Sequence, residues 1–130
     1  MARYITTTLP YVNAEPHIGF ALELVQADTL ARAWRLAGEE VFFSTGTDEH
    51  GQKIFEGAVK EGKEVQEYVD FYAKRVQDLK ELLSLTPDNF IRTTSEVHKE
   101  SAKEMWRRCD GAGDIYKKAY TGLYCVGCEA

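Results

Sequence analysis

A chain of 130 residues that is 44% hydrophobic and 28% charged has the composition of one ordinary globular domain with a modest core, which excludes a disordered segment. A formal net charge of −5 with no long run of Lys or Arg excludes a strong electrostatic footprint for nucleic acid. No apolar run could span a bilayer, Met1–Arg3 leads into a strand rather than a signal peptide, and three cysteines, two of them in a C-x-x-C, point to the reducing cytoplasm and a metal rather than disulfides.

Arg3–Leu9 is rich in β-branched residues and Tyr and reads as a strand, broken by Pro10 and Asn13–Pro16. From His17 onward apolar residues return at Phe20, Leu24, Ala27, Ala31 and Trp34, in helical steps of four and three, with Gly38 as C-terminal cap. Glu40–Gly46, where Val41, Phe42 and Phe43 are consecutive, is a short buried strand. Strand, helix and strand over this length form a βαβ unit with parallel strands and a right-handed crossover. Ligands of such sheets sit outside the carboxyl ends of the strands, which brings Leu9–Tyr11 and Gly46–His50 to one edge.

A short helix is expected over Glu49–Glu61, with Ile54, Phe55, Ala58 and Val59 on its inner face and Gly62 at its end. Val65–Leu83 is a longer one, striped by Val65, Tyr68, Val69, Tyr72, Val76, Leu79 and Leu83; the Tyr residues read as core rather than as a nucleotide-stacking face. Thr86–Asp88 turns into a third strand, Asn89–Arg92. Thr93-x-x-Glu96 fits a capping box, opening a helix to about Cys109 with Ala102, Met105, Trp106 and Cys109 inward. Gly111 and Gly113 end it, and the alternation of Asp114–Cys125, with a turn at Thr121–Gly122, predicts a β-hairpin.

His17-Ile18-Gly19 therefore stands where a strand passes through a loop into the first turn of a helix. Free N–H groups and the positive end of the helix dipole make that turn a site for phosphate. Gly19 lets a ligand approach the backbone, and His17 adds a donor, although such a His also serves as a cap or a packed ring. There is no Gly-x-x-x-x-Gly-Lys and no Gly-x-Gly-x-x-Gly loop, which argues against P-loop and dinucleotide chemistry. Asp48 at a strand's carboxyl end is available to a ligand or to the next helix as an N-cap; His50 reads as structural. Cys125-Val126-Gly127-Cys128 has zinc-knuckle spacing, with the redox reading disfavoured because a hairpin precedes it.

Leu9-Pro10-Tyr11-Val12-Asn13-Ala14-Glu15-Pro16-His17-Ile18-Gly19-Phe20 resembles the ATP-binding "HIGH" segment of class I aminoacyl-tRNA synthetases, and specifically the bacterial-type methionyl-tRNA synthetase family. Gly46-Thr47-Asp48-Glu49-His50-Gly51 resembles that family's second signature, and Asp114–Tyr116 through Tyr124–Glu129 the start of its zinc-knuckle insert. The resemblance implies an α/β fold: the first half of a Rossmann-like parallel sheet with flanking helices, running into a β-hairpin and zinc-knuckle insert. Residues 1–113 would be the N-terminal half of the catalytic domain and 114–130 the start of the connective-peptide insert. It implies activation of L-methionine by ATP with Mg²⁺ to methionyl-adenylate, and transfer to tRNA(Met) through regions mainly outside this chain. By resemblance, His17 is catalytic and His17, Ile18, Gly19 and Phe20 bind ATP. Leu9, Tyr11 and Asp48 bind methionine, Asp48 through its ammonium; Cys125 and Cys128 are two Zn²⁺ ligands of the longer protein.

Phe20 departs from the pattern, which usually ends in a second His; it cannot supply that hydrogen bond and is expected to pack. With no Lys-Met-Ser-Lys-Ser loop in the chain, residues 1–130 alone are expected to have little or no activity and to expose apolar surface. A sibling synthetase for Ile, Val, Leu or Cys, or a non-catalytic ligand- or metal-binding module, is the alternative.

Overall fold

The β-branched and aromatic runs near Ile5 and Phe43 form parallel strands, as their spacing predicts. In the computed structural model, which describes residues 2–125, β1 (Arg3–Thr6), β2 (Val41–Thr47) and β3 (Asn89–Arg92) make one sheet in the order β1-β2-β3. Both pairings are parallel, with Ile5 opposite Phe43 and Gly46 opposite Ile91. The first strand stops at Thr6 rather than Leu9. Beyond it the Thr8 amide and hydroxyl both donate to the Glu23 carboxylate, each at 2.6 Å, so the backbone leaves the ladder for a helix side chain.

Helix α1 (Ile18–Leu36) lays Ala27 and Ala31 on Ile5 and Phe43 of the sheet. Its Phe20 and Leu24 pack with Val76 and Leu85, against which the Leu79, Leu83 and Phe90 side chains also lie. The opposite sheet face exposes Tyr4 and Phe42, whose rings stack 5.6 Å apart. Helix α3 (Val65–Leu82) buries Tyr68, Val69, Ala73 and Val76, so its aromatic stripe is core.

Helix α2 (Gln52–Glu61) starts three residues later than the expected Glu49, because the Glu49 amide is already bound to the Thr93 hydroxyl at 2.7 Å. Only Ile54 and Ala58 of α2 are buried; Phe55 and Val59, expected inward, face outward, and so does Val65 of α3. Ile54 and Ala58 stand one four-residue step apart and so share one face, from which Phe55 and Val59 are each turned by a residue.

Two compact units divide at Lys99 and Glu100. Helix α4 (Glu96–Ala112) opens in the first unit and makes up much of the second. Its cap is Ser95, whose hydroxyl accepts from the His98 amide at 3.4 Å, not Thr93, whose hydroxyl is engaged with Glu49. The expected inward stripe of α4 is not formed: no residue of the helix is buried, and Met105 and Trp106 are exposed. The expected hairpin is likewise absent among the described residues, where 114–125 carry no strand and Tyr116, Tyr120, Leu123 and Tyr124 are exposed. Alternation alone does not stabilise a two-stranded hairpin without a surface to bury one face. The second cysteine of the C-x-x-C, Cys128, lies outside the described residues.

Candidate active site

The loop between β1 and α1 is held by one apolar anchor. Val12 is fully buried among Ile54 and Ala58 of α2 and Tyr68, Val69 and Ala73 of α3. Burial of such a side chain contributes about 1.5–3 kcal/mol, which offsets part of the entropy lost in ordering the loop. The Tyr68 hydroxyl donates to the Asn13 carbonyl at 3.2 Å, fixing the next residue. The loop thus curves over the carboxyl edge of the sheet and walls an open cavity of about 530 Å³. Leu9, Tyr11, His17, Gly19, Phe20 and Glu23 line it.

His17 is the N-cap of α1, and its Nδ1 accepts from the Phe20 amide at 3.2 Å. In the neutral ring that bond leaves the proton on Nε2, as a donor on an exposed side chain. The cap and the ligand roles weighed from the sequence are therefore compatible: one nitrogen caps and the other is free to donate. Gly19 makes this ring position possible. A Cβ there would stand 3.0 Å from both Cε1 and Nδ1 of His17. Ile18 is 88% exposed and does not line the cavity. The Phe20 ring is buried with Leu24, Val76 and Leu85, so it packs, as its chemistry required.

Asp48 meets this loop directly. After the gap in the ladder, Tyr11 and Asp48 form a single parallel bridge, with the Asp48 amide donating to the Pro10 carbonyl at 3.0 Å and the Val12 amide to the Asp48 carbonyl at 3.3 Å. The two segments that topology assigned to one edge are hydrogen-bonded neighbours. The Asp48 side chain is half-buried and does not cap α2, whose N-cap is Gly51 without a side-chain bond. His50 faces the Thr93 carbonyl at 3.2 Å, a structural contact.

The residues that sequence reasoning missed lie just behind Asp48. Glu49 has a fully buried carboxylate. It accepts from Arg92 Nε at 2.6 Å, Arg92 Nη2 at 2.9 Å, the Thr47 hydroxyl at 2.6 Å and the Thr94 hydroxyl. Arg92 also donates to Asp70 at 2.6 Å. The bidentate bond to Glu49 raises the pKa of the Arg92 guanidinium, and Arg92 in turn holds the Asp70 carboxyl below its usual value. A signal existed: Glu49 and Arg92 stand at the carboxyl ends of two strands that topology makes neighbours. Gly46 completes the joint, since a Cβ there would lie 1.9 Å from the Ile91 carbonyl oxygen.

Cys125 is exposed, and no three His, Cys, Asp or Glu side chains gather to hold a metal among the described residues. Among the described residues no helix is long and apolar enough to cross a membrane.

Comparison with known proteins agrees with this geometry. The family model described as tRNA synthetases class I (M) matches residues 3–130. The methionine–tRNA ligase of Thermotoga maritima is 48% identical over 129 residues, covering 99% of this chain and 20% of that ligase. The methionine–tRNA ligase of Rhizobium meliloti is 49% identical over 127 residues, covering 98% and 25%. The structure of Mycobacterium tuberculosis methionyl-tRNA synthetase in complex with methionyl-adenylate superposes with a TM-score of 0.93 at 42% identity, over 97% of this chain and 25% of that one. The chain thus spans about a fifth to a quarter of the length of the curated relatives it matches. A parallel sheet whose edge joins a capped histidine loop to a Gly-Thr-Asp loop, matched from residue 3 to the end by one family, places this chain among the class I tRNA synthetases, in their methionine branch.

Proposed function

We propose that the protein carrying this chain is a methionine–tRNA ligase, and that residues 1–130 supply one half of its activation site. The methionine carboxylate oxygen attacks the α-phosphorus of ATP, a new O–P bond forms, and the bond to pyrophosphate breaks. A ribose hydroxyl of tRNA(Met) then takes the methionyl group and releases AMP. ATP enters as its Mg²⁺ complex. The observation that carries the reading is the meeting of the His17 loop and the Asp48 loop at one edge.

Negative charge grows on phosphate oxygens in the first step. His17 Nε2–H and the first-turn N–H groups of Ile18 and Gly19 are fixed donors for it, because the cap bond to Phe20 holds the ring before substrate arrives. Asp48 receives the substrate ammonium, while Leu9 and Tyr11 border the thioether, where sulfur–aromatic contact is favourable. Phe20 contributes packing beneath the phosphate turn, and its amide is used by the cap.

Cys125 and Cys128 are read as two thiolates of a structural zinc site. The described residues do not assemble the remaining ligands, so the reading rests on C-x-x-C spacing and no step runs through the metal. The cytoplasm is the matching compartment, with thiols kept reduced.

ATP–pyrophosphate exchange by the protein carrying His17→Ala tests the proposal. Loss of one fixed donor predicts a fall of about a hundred- to a thousandfold; an unchanged rate rejects the role. Asp48→Asn is expected to weaken methionine binding much more than ATP binding, and equal losses reject its assignment.

A further inference from the structure

Thr93 fastens the carboxyl end of β3 to the Asp48 loop through all of its polar groups. Its amide donates to the Thr47 carbonyl at 3.3 Å, and its carbonyl faces His50 Nε2 at 3.2 Å. Its hydroxyl accepts from the Glu49 amide at 2.7 Å and directs its own proton to Asp48 Oδ1 at 3.5 Å. The side chain is buried, so water does not compete freely for that proton. The neighbouring residue Thr94 and the preceding residue Arg92 both bind Glu49, so residues 92–94 are tied to residues 47–49 at several points.

The Asp48 carboxylate, which does not itself line the cavity but follows the backbone bridge to Tyr11 that does, can turn about two torsions, and an ammonium rewards only the orientation that faces it. A hydroxyl that already accepts from an amide has fewer directions left for its proton, and Asp48 Oδ1 lies in one of them. We propose that Thr93 is a positioning residue for methionine: its hydroxyl holds one oxygen of Asp48 and so presents the other to the substrate ammonium. The inference rests on the reading of Asp48 as the ammonium partner. The 3.5 Å separation is long for an O–H···O bond, so the proposal requires it to tighten when substrate is bound. Thr93 touches no substrate atom; it acts through Asp48.

The test is a double-mutant cycle on the full protein, with L-methionine and ATP titrated calorimetrically into the parent, Thr93→Val, Thr93→Ser, Asp48→Asn and the Thr93→Val/Asp48→Asn pair. Thr93→Val keeps the shape but removes the hydroxyl, and it should weaken methionine about tenfold, the loss expected for a hydrogen bond to a charged group, with ATP affinity kept within about twofold. Thr93→Ser keeps the hydroxyl and should restore methionine affinity. With Asp48→Asn already in place, Thr93→Val should weaken methionine by no more than about twofold further. Equal losses for methionine and ATP, or a full tenfold loss in the Asp48→Asn background, would overturn the positioning role while leaving the Asp48 assignment standing. An Asp48→Asn protein with unchanged methionine affinity would instead overturn the reading on which the inference rests. If Thr93→Val does not fold, Thr93→Cys replaces it, since a thiol is a weak donor and acceptor.

Discussion

A single methyl group on Gly19 separates the stability of this site from its chemistry. In Gly19→Ala the new Cβ stands 3.0 Å from Cε1 and Nδ1 of His17, closer than carbon atoms rest without something giving way. The backbone is helical there, so Ala itself is favoured over Gly by about 0.8–1.0 kcal/mol. Against this, the ring must swing away from the Phe20 amide it now caps at 3.2 Å, and losing a cap costs about 0.5–2 kcal/mol. The two nearly cancel. Net stability should change by about 1 kcal/mol or less, a shift of only a few degrees in melting temperature for a chain of this size. Catalysis should not be spared, because Nε2 moves with the ring. ATP–pyrophosphate exchange should fall at least about tenfold, bounded by the hundred- to thousandfold cost of losing the donor entirely. Melting curves and exchange rates on the same preparation make the comparison. A variant that melts with the parent and exchanges within about twofold of it would refute the claim that the capped ring position is the catalytic one.

Gly46→Ala should behave oppositely: its Cβ meets the Ile91 carbonyl oxygen at 1.9 Å, a backbone atom that cannot turn aside, and urea unfolding should show a loss of about 3 kcal/mol or more. A loss well under about 1 kcal/mol would contradict the close approach of β2 and β3. Arg92→Leu leaves the fully buried Glu49 carboxylate without its cation and should cost about 3–5 kcal/mol in the same assay, whereas Lys63→Leu, breaking a solvent-screened pair with Glu61, should leave the unfolding midpoint close to the parent's. For Asp28, burial opposes ionisation but is outweighed by hydrogen bonds from Thr86 and Arg32, so its folded pKa is depressed. Its stabilisation is then fully present above the unfolded value of about 3.9 and is lost as pH falls through the lower folded value. The melting-temperature gap between the parent and Asp28→Asn should be widest at neutral pH and close in acid; a gap independent of pH would contradict the shift.

The order of strands and helices in the first unit was legible because burial enforces it. The stripe from Phe20 to Trp34 buries its apolar atoms only at helical periodicity, whereas the run at Val41–Phe43, read as a buried strand, buries Phe43 and leaves Phe42 exposed on the other face. Topology then joined Tyr11 to Asp48 across an interval in which no local signal connects them. What stayed illegible was decided by competition for hydrogen bonds. Thr93 carries the sequence of a helix cap, yet its hydroxyl is taken by the Glu49 amide and Ser95 caps instead. The same bond delays α2 from Glu49 to Gln52, and the Thr8–Glu23 contact ends β1 early. In α4 and in 114–125 the pattern names an apolar face without naming the surface that covers it, so periodicity there predicted burial that the described residues do not have. Within the site, the sequence marked His17, Gly19 and Asp48 by type and position. It allowed a cap at His17 without naming the nitrogen that makes it, and it placed Glu49 and Arg92 at neighbouring strand ends without pairing them, since a contact between side chains depends on rotamers rather than on order.

The most direct test is a crystal structure of the protein with methionyl-adenylate bound. The phosphate should accept from His17 Nε2 within about 2.7–3.2 Å while the methionyl ammonium contacts the Asp48 carboxylate. An adenylate bound with the imidazole turned away from phosphate, or with its ammonium on another acid, would contradict the account.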